Sequence, residues 1–474
     1  MIQPIIKNKG KNDTKTTLDF INERVSQGQS VGVINLGCAR NLVDSQAILG
    51  RLKKGGHRIV DMKQAEVAIV NTCSFIEDAK RESIETIIDL LELKKQGKLK
   101  KVIVAGCLAQ RYGKELSEEF KEIDAIVGVL PLDRETVPDQ VSLTPSHYAY
   151  VKICESCFNS CSFCAIPGMK GKFISRTIES VVGEIKKLDE RGVKEINIIG
   201  QDITAYGMDL YREKSLAKLL KAIIPVTKNI QWIRLLYAFP AHITDELIDV
   251  MANEEKICKY IDMPLQHISD NLLKSMNRNI TTVQTKMLIQ KLRNKIPNGS
   301  LRTTFIVGMP GETEDNFQEM MSFIKETHFE KAGVFVYSRE EGTLAYDMPD
   351  QVAEVTKKKR LNILMREQQV ISKEIQQKSL SKTFKVLIEE KQKEPVILTS
   401  RASSARKDLK DPSSPSSRAQ DEPFGFIYLG RTEYDAPEVD GIVYVNSNRT
   451  LNPGDFVDVK ITDTYEYDLA GEVV

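Results

Sequence analysis

A chain of 474 residues, 41% hydrophobic, 28% charged and with a formal net charge of +1, has the balance of a soluble globular protein and room for about three domains. No apolar run approaches the roughly eighteen residues of a membrane span, so no membrane partner is expected. The opening stretch, MIQPIIKNKGKNDTKTTLDF, has no apolar core followed by a small-residue cleavage site, and the expectation is a cytoplasmic protein that keeps its thiols reduced.

Residues 1–29 are polar and read as a flexible extension. From 30 to 140 a short apolar run, a turn and an amphipathic helix alternate. The runs VGVINLGC (31–38), VAIVNTC (67–73) and VIVAGC (102–107) are β-branched and apolar on both faces, as buried parallel strands are. The helical periodicity of IEDAKRESIETIIDLLELKK (76–95) follows the second of them. This predicts an open α/β domain. A second series occupies 143–375, with strands predicted at 148–153, 195–200, 230–238, 259–265, 301–309 and 332–338. Six β/α units predict a barrel or partial barrel. The run 352–380 reads as one long helix leading out, and KKKR (357–360) as its solvated face. The tail, 378–474, turns to alternating runs such as FKVLIEE and DFVDVKIT, which predict a small all-β domain. Inside it, RASSARKDLKDPSSPSSRAQDE (401–422) reads as a disordered insertion. The predicted fold class is α/β: an open α/β domain, a central partial (β/α)6 barrel and a small β module.

Six of the eight cysteines fall into two sets of three. Cys38, Cys73 and Cys107 each end one of the three apolar runs. In a parallel sheet such ends share one edge, where loops converge into sites. Each alone would be a small buried hydrophobe; three at equivalent strand ends favour a metal site. The second set lies in CESCFNSCSFC (154–164), where Cys157, Cys161 and Cys164 follow the first strand of the second series. Three thiolates on one loop can ligate three irons of a cubane and leave the fourth open. Zinc is the main rival, with Cys154 as a fourth ligand, but the loop holds no histidine and no second knuckle. Cys154 reads as a spare facing the strand, and Cys258 as a helix-end or core residue. The loop should lie at the C-terminal mouth of the barrel, where barrel enzymes keep their chemistry.

CFNSCSFCAIPGMKGKFISR (157–176) resembles the cluster loop of radical S-adenosylmethionine enzymes, and more narrowly that of the methylthiotransferases. NLGCARNLVDSQ (35–46), VNTCSFIEDAKRESIETI (70–87), AGCLAQRYGKEL (105–116), QDITAYGMDLY (201–211), YIDMPLQHISDNLLKSMNR (260–278), FIVGMPGETEDNF (305–317) and VFVYSREEGTLAYDMPDQV (334–352) resemble that family in the same order. The likeness covers roughly 31–380 and resumes at 423–474. LLYAFPAH (235–242) and LGRTEYDAPEVDGIVYV (429–445) are similar to the branch that modifies an aspartate of small-subunit ribosomal protein twelve. The other branch modifies an adenosine of transfer RNA. The usual SLGCPKN stands here as NLGCARN, and the usual EGC as ESC at 155–157.

The resemblance implies that Cys157, Cys161 and Cys164 bind a [4Fe-4S] cluster whose open iron chelates S-adenosylmethionine. It implies that Cys38, Cys73 and Cys107 bind a second [4Fe-4S] cluster, which carries the sulfur to be inserted. Reductive cleavage of S-adenosylmethionine would let the enzyme take hydrogen from the aspartate β-carbon, and a second S-adenosylmethionine would supply the methyl group. A flavodoxin or ferredoxin is the expected electron donor, and a monomer the expected state. Gly200, Gln201 and Asp202 end the second barrel strand, where the superfamily contacts the methionine amino group. Gly308 and Gly311 flank a turn where backbone could approach adenosine; turn geometry alone is the other reading. His267 reads as a hydrogen-bonded structural residue. The tail resembles a TRAM module, which in the transfer-RNA branch grips nucleic acid. Here residues 421–474 hold 12 acidic and three basic residues, the wrong sign for phosphate. An acidic module suits a basic ribosomal protein, and Asp435, Glu438 and Asp440 are the expected docking residues. The rival readings are a transfer-RNA methylthiotransferase and a non-catalytic zinc RNA-binding protein.

Overall fold

A computed structural model describes residues 14–137, 141–392 and 426–474; the predicted insertion 401–422 lies outside them. The chain begins with α1 (Thr14–Arg24), then β1 (Ser30–Asn35), α2 (Ala39–Lys54), β2 (Arg58–Ile59), β3 (Val67–Thr72), α3 (Glu77–Lys95), β4 (Lys101–Gly106), α4 (Cys107–Glu119) and β5 (Ala125–Val127). The sheet is parallel, in the order β2-β1-β3-β4-β5. The three predicted apolar runs are its central strands. One expectation is corrected: residues 14–24 are a packed helix and not part of a loose extension. Leu18, Ile21 and Val25 recur at three-and-four spacing and close the same core as Val31, Ile48 and Ile103. Three apolar positions in a polar stretch suffice once a neighbouring sheet offers a surface.

The central unit comprises β6 (Tyr148–Lys152), a two-stranded ribbon of β7 (Cys154–Glu155) and β8 (Ile174–Ser175) around α5 (Ile166–Lys170), then α6 (Ile178–Glu190), β9 (Glu195–Ile199), α7 (Leu216–Ile223), β10 (Trp232–Leu235), α8 (Asp245–Asn253), β11 (Tyr260–Asp262), α9 (Asp270–Ser275), α10 (Thr282–Lys295), β12 (Ser300–Val307), α11 (Glu314–Thr327), β13 (Lys331–Val336) and α12 (Glu354–Gln377). All six predicted strands are present. They run parallel as β6-β9-β10 and β11-β12-β13, joined where the Cys258 N–H donates to Ile233 O at 3.0 Å. Alternation along β6 sends Ala149, Val151 and Ile153 toward the helices, and Tyr148 and Tyr150 into a second core with Val43 of α2. The first domain therefore packs on the inner side of the open barrel. On α12 the KKKR run is not a solvated face. Lys357 and Arg360, three apart, are both buried: Lys357 donates to Tyr337 O at 3.1 Å and Arg360 pairs with Glu312 at 2.8 Å. Only Lys358 and Lys359 face solvent.

The C-terminal strands β14 (Thr383–Lys391), β15 (Phe426–Thr432), β16 (Val443–Ser447), β17 (Phe456–Thr464) and β18 (Leu469–Val473) close a small barrel in the order β14-β15-β16-β18-β17. Alternating side chains such as Val386, Ile388, Val443, Val445, Val457 and Val459 fill it. The loop 433–440 leaves this barrel and covers the N-terminal end of the central one. Asp435 pairs with Lys331 at 2.6 Å, Asp440 accepts from Tyr260 Oη at 2.7 Å, and Glu438 accepts from Tyr148 Oη at 2.8 Å. Lys331, Tyr260 and Tyr148 are each the first residue of a barrel strand. This corrects the docking expectation. Asp435 and Asp440 are taken up inside the molecule, at the end opposite the cysteines, and of the three only Glu438 belongs to an exposed residue. A run of acidic residues reads as a free surface until the strand ends that neutralise it are in view.

Candidate active site

The first three thiols meet at one sheet edge, as their strand-end positions predict. β3 and β4 are in register to Thr72↔Gly106, so Cys73 and Cys107 follow side by side. Cys38 lies three residues beyond β1 and is folded back by Gly37. That glycine has φ +86°, and a Cβ there would stand 2.7 Å from Cys73 Cβ, so only glycine lets the two loops close. Ser83 fixes Cys73 from α3, accepting its N–H at 3.0 Å and donating to its carbonyl at 2.9 Å. Asn41 ties the other two, donating to Leu36 O and Thr72 O at 3.0 and 3.1 Å with its carbonyl 3.9 Å from Cys107 Sγ.

The second three thiols lie on the loop after β7, at the C-terminal end of the barrel, and the loop is held from several barrel units. Asn159 donates to Asp202 Oδ2 at 2.8 Å and to Cys157 Sγ at 3.5 Å. Asn277 donates to Ser160 O at 2.8 Å, and the Ser162 N–H to Met276 O at 3.0 Å. Arg278 brings a guanidinium nitrogen 3.9 Å from Cys161 Sγ while stacking on Phe239. Of these supports only Asp202 is singled out in the sequence, by its place after the second barrel strand.

The two sets face each other. Cys107 and Cys164 pack on one apolar patch formed by Val129, Ala165, Ile166 and Met169. Arg40, two residues after Cys38, donates to Gly200 O at 2.9 Å across the domain boundary. Arg111 and Lys80 clasp Glu340 of the barrel at 2.7 and 3.3 Å. Beneath them lies a buried charge cluster. Lys152 bonds Asp44 of α2 and, at 2.6 Å, Glu155; Lys170 stands 3.4 Å from each carboxylate. Burial pushes the Glu155 carboxyl up, but the two ammonium groups outweigh it and hold it well below the carboxylate range. Cross-domain contacts of this kind fix how the two thiol sets are apposed.

The donor sets fit iron–sulfur cubanes. Each is three thiols without histidine. In a cubane each of the three thiolates meets a different iron. Cys154 is buried against Gly200, where a Cβ would stand 2.4 Å from its sulfur, and Cys258 is buried in the core beside Tyr260, so both keep the structural reading. Gln201 donates to Glu155 at 3.0 Å and leaves its buried carbonyl oxygen without a partner, which fits a cofactor amino group. Asp202 is committed to Asn159, Thr204 and His242, the last at 2.7 Å, and so positions the loop. Gly308 has φ +79°, and Lys357 Cγ would lie 2.2 Å from its Cβ, which explains the glycine by turn and packing. Gly311 also has positive φ, with open space beside it. His267 is buried and accepts the Ser269 N–H at 3.0 Å; burial lowers its pKa to about 3, so it stays neutral in a structural role.

The thiols differ in ionisation. Burial raises Cys107 and Cys164 to about 12 and Cys157 to about 11, and also raises Cys73. Burial acts on Cys38 too, but Arg40, the Asn41 N–H and Lys170 outweigh it and its pKa is lowered. The thiolate is the nucleophile. In metal-free protein near neutral pH, iodoacetamide is therefore expected to label Cys38 ahead of Cys73, Cys107, Cys157 and Cys164, with labelling falling as pH drops through its lowered pKa. Peptide mapping reads this out, and equal labelling of Cys38 and Cys107 would contradict it. Loading iron should release protons from the raised thiols.

The radical SAM superfamily matches residues 151–324, the uncharacterized protein family UPF0004 residues 30–128, and the TRAM domain residues 420–474. The chain is 45% identical over 470 residues to the ribosomal protein uS12 methylthiotransferase RimO of Desulforamulus reducens, across 94% of this chain and 99% of that one. It is 43% identical to the proteins of the same name from Clostridioides difficile, over 94% and 98% of the two chains, and from Aquifex aeolicus, over 93% and 96%. Likeness of this extent, along nearly the whole of both partners, means that the chain belongs to the RimO family of radical SAM methylthiotransferases.

Proposed function

We propose that this enzyme methylthiolates the β-carbon of an aspartate in the small-subunit ribosomal protein uS12, the substrate named for its relatives. Cys157, Cys161 and Cys164 hold the [4Fe-4S] cluster of the radical SAM domain, and Cys38, Cys73 and Cys107 hold a second one. The observation that carries this reading is that Cys107 of one set and Cys164 of the other meet on one apolar patch. Bound with S-adenosylmethionine, the first cluster supplies the one-electron chemistry that breaks an unactivated C–H bond, which acid–base side chains cannot do. The chain's own residues do the rest. Val129, Ile166 and Met169 exclude water between the thiol sets, Asn159 and Asp202 position the loop, and Arg278 places positive charge at Cys161. A flavodoxin or ferredoxin class donor supplies electrons, and the protein works as a monomer in the cytoplasm.

The names of the relatives favour a protein substrate over transfer RNA. With loop 433–440 committed to the barrel, the exposed charges among the described residues of the small barrel balance: Glu390, Asp458, Asp463 and Glu472 against Lys385, Lys391, Arg449 and Lys460. A balanced surface of this kind has no net attraction for phosphate. Mass spectrometry of uS12 and of transfer RNA from a strain lacking this gene tests the assignment. The expected result is uS12 that has lost the mass of one methylthio group, with transfer RNA unchanged. The reverse pattern would refute it.

A further inference from the structure

Most cations around the barrel lumen are already paired with carboxylates. Lys152 and Lys170 share Asp44 and Glu155, Arg302 holds Asp262 at 2.9 Å, Lys331 holds Asp435, and Arg234 holds Glu195. Two arginines beside the thiol sets, Arg40 and Arg278, have no carboxylate bonded to them among the described residues. Arg278 is buried, donates to Pro264 O, lies flat on Phe239 and is turned toward Cys161. Arg40 is different. It is only partly buried, its guanidinium lies 4.8 Å above the Tyr237 ring, and one nitrogen, Nη1, reaches Gly200 O. It stands beside Cys38 on one side of the domain boundary and the end of β9 on the other. A guanidinium cannot lose its charge here; the anion nearest to it is the Cys38 thiolate that it stabilises, and with no carboxylate bonded to it, further guanidinium N–H groups remain for a carboxylate from outside the chain.

We propose that Arg40 recognises the side-chain carboxylate of the substrate aspartate. The proposal rests on the aspartate-substrate reading given above and adds the residue that selects it. The carbon to be modified is bonded directly to that carboxylate. A planar fork that grips both oxygens therefore fixes the reacting carbon one bond away, between the two thiol sets, with its hydrogen in a set direction. Tyr237 and Gly200 O hold the fork so that little side-chain freedom is lost on binding. The same contact rejects an amide, whose nitrogen would direct its hydrogens at the cation.

The test is binding without turnover. Fluorescently labelled uS12, and a version with asparagine at the modified position, are titrated by anisotropy against the reconstituted enzyme with S-adenosylmethionine and no reductant. The parent enzyme is expected to prefer the aspartate form by about 10- to 100-fold, the range of a charge-assisted hydrogen-bond pair. Arg40→Gln should bring that preference to near unity. Arg40→Lys, which keeps charge but not the fork, should retain part of it. Because both ligands meet the same clusters, an effect of Arg40 on Cys38 alone would weaken the two equally. A Gln variant that keeps the parental preference overturns the proposal, as does one that loses S-adenosylmethionine binding with the preference intact. Should the Gln variant hold no iron, a Lys variant with the full parental preference overturns it as well. A parent enzyme that never modifies uS12 would instead sink the substrate reading itself.

Discussion

Replacing Cys157, Cys161 and Cys164 together with alanine is expected to halve the iron, to roughly four per chain, and to abolish S-adenosylmethionine cleavage, since each cubane holds about four irons. Replacing Cys38, Cys73 and Cys107 should also halve the iron but leave cleavage detectable. The asymmetry follows from where the supports lie. The barrel loop is pinned by Asp202, Asn277 and Met276, all within the barrel. The sheet-edge triad is pinned by Ser83 and Asn41, both within the first domain. Neither loop needs the other's cysteines to hold its shape, apart from the shared patch around Ala165 and Met169. Anaerobic reconstitution, an iron assay and chromatography of the cleaved nucleoside separate the two cases. Full iron in either triple variant would mean that the ligands are assigned wrongly, and cleavage by the first variant would move the cofactor site elsewhere.

The six thiols are legible in the sequence because their placement depends on local pattern. Three end apolar runs whose β-branched composition marks them as buried parallel strands, and three sit in one loop. The six barrel strands are legible for the same reason. What surrounds the thiols is not, because it is made by contacts between distant segments. Arg40 meets Gly200, 160 residues away, and Arg111 meets Glu340, 229 residues away. Composition also misleads where a few apolar or charged residues find a partner surface. Helix α1 hides in a polar stretch, yet Ile21 and Val25 are almost fully buried. Lys357 and Arg360 look like half of a basic run, yet α12 turns both inward onto Tyr337 O and Glu312. In each case the residue type permits two environments, and only the long-range partner decides between them.

The acidic loop of the small barrel gives the second large effect. Asp435→Lys combined with Asp440→Lys is expected to detach the C-terminal module from the central barrel, not to tune an encounter with substrate. Asp435 and Lys331 form a mostly buried pair, and Asp440 accepts both the Tyr260 hydroxyl and the Ala436 N–H at 2.9 Å. The change leaves Lys331 and Arg302 facing added positive charge in a site that cannot hydrate it. Removing one partner of a buried pair costs about 3–5 kcal/mol, and reversal adds repulsion to that loss. Nearby, Arg431 bonds Glu195 and Glu389 at 2.6 Å each and the Asp435 carbonyl at 2.8 Å, so the disturbance should spread along the interface. The module itself should survive, because Val386, Tyr428 and Val459 close its own core. Limited proteolysis should then open a cut near residues 378–382, between α12 and β14, that the parent resists. Thermal unfolding should split into two steps or begin earlier. Reversing the exposed Glu438 alone should do less, since it loses one part-buried bond from Tyr148 Oη and no ion pair. If the double variant unfolded and resisted protease as the parent does, while only its salt-dependent affinity for uS12 changed, the loop would be a docking surface after all.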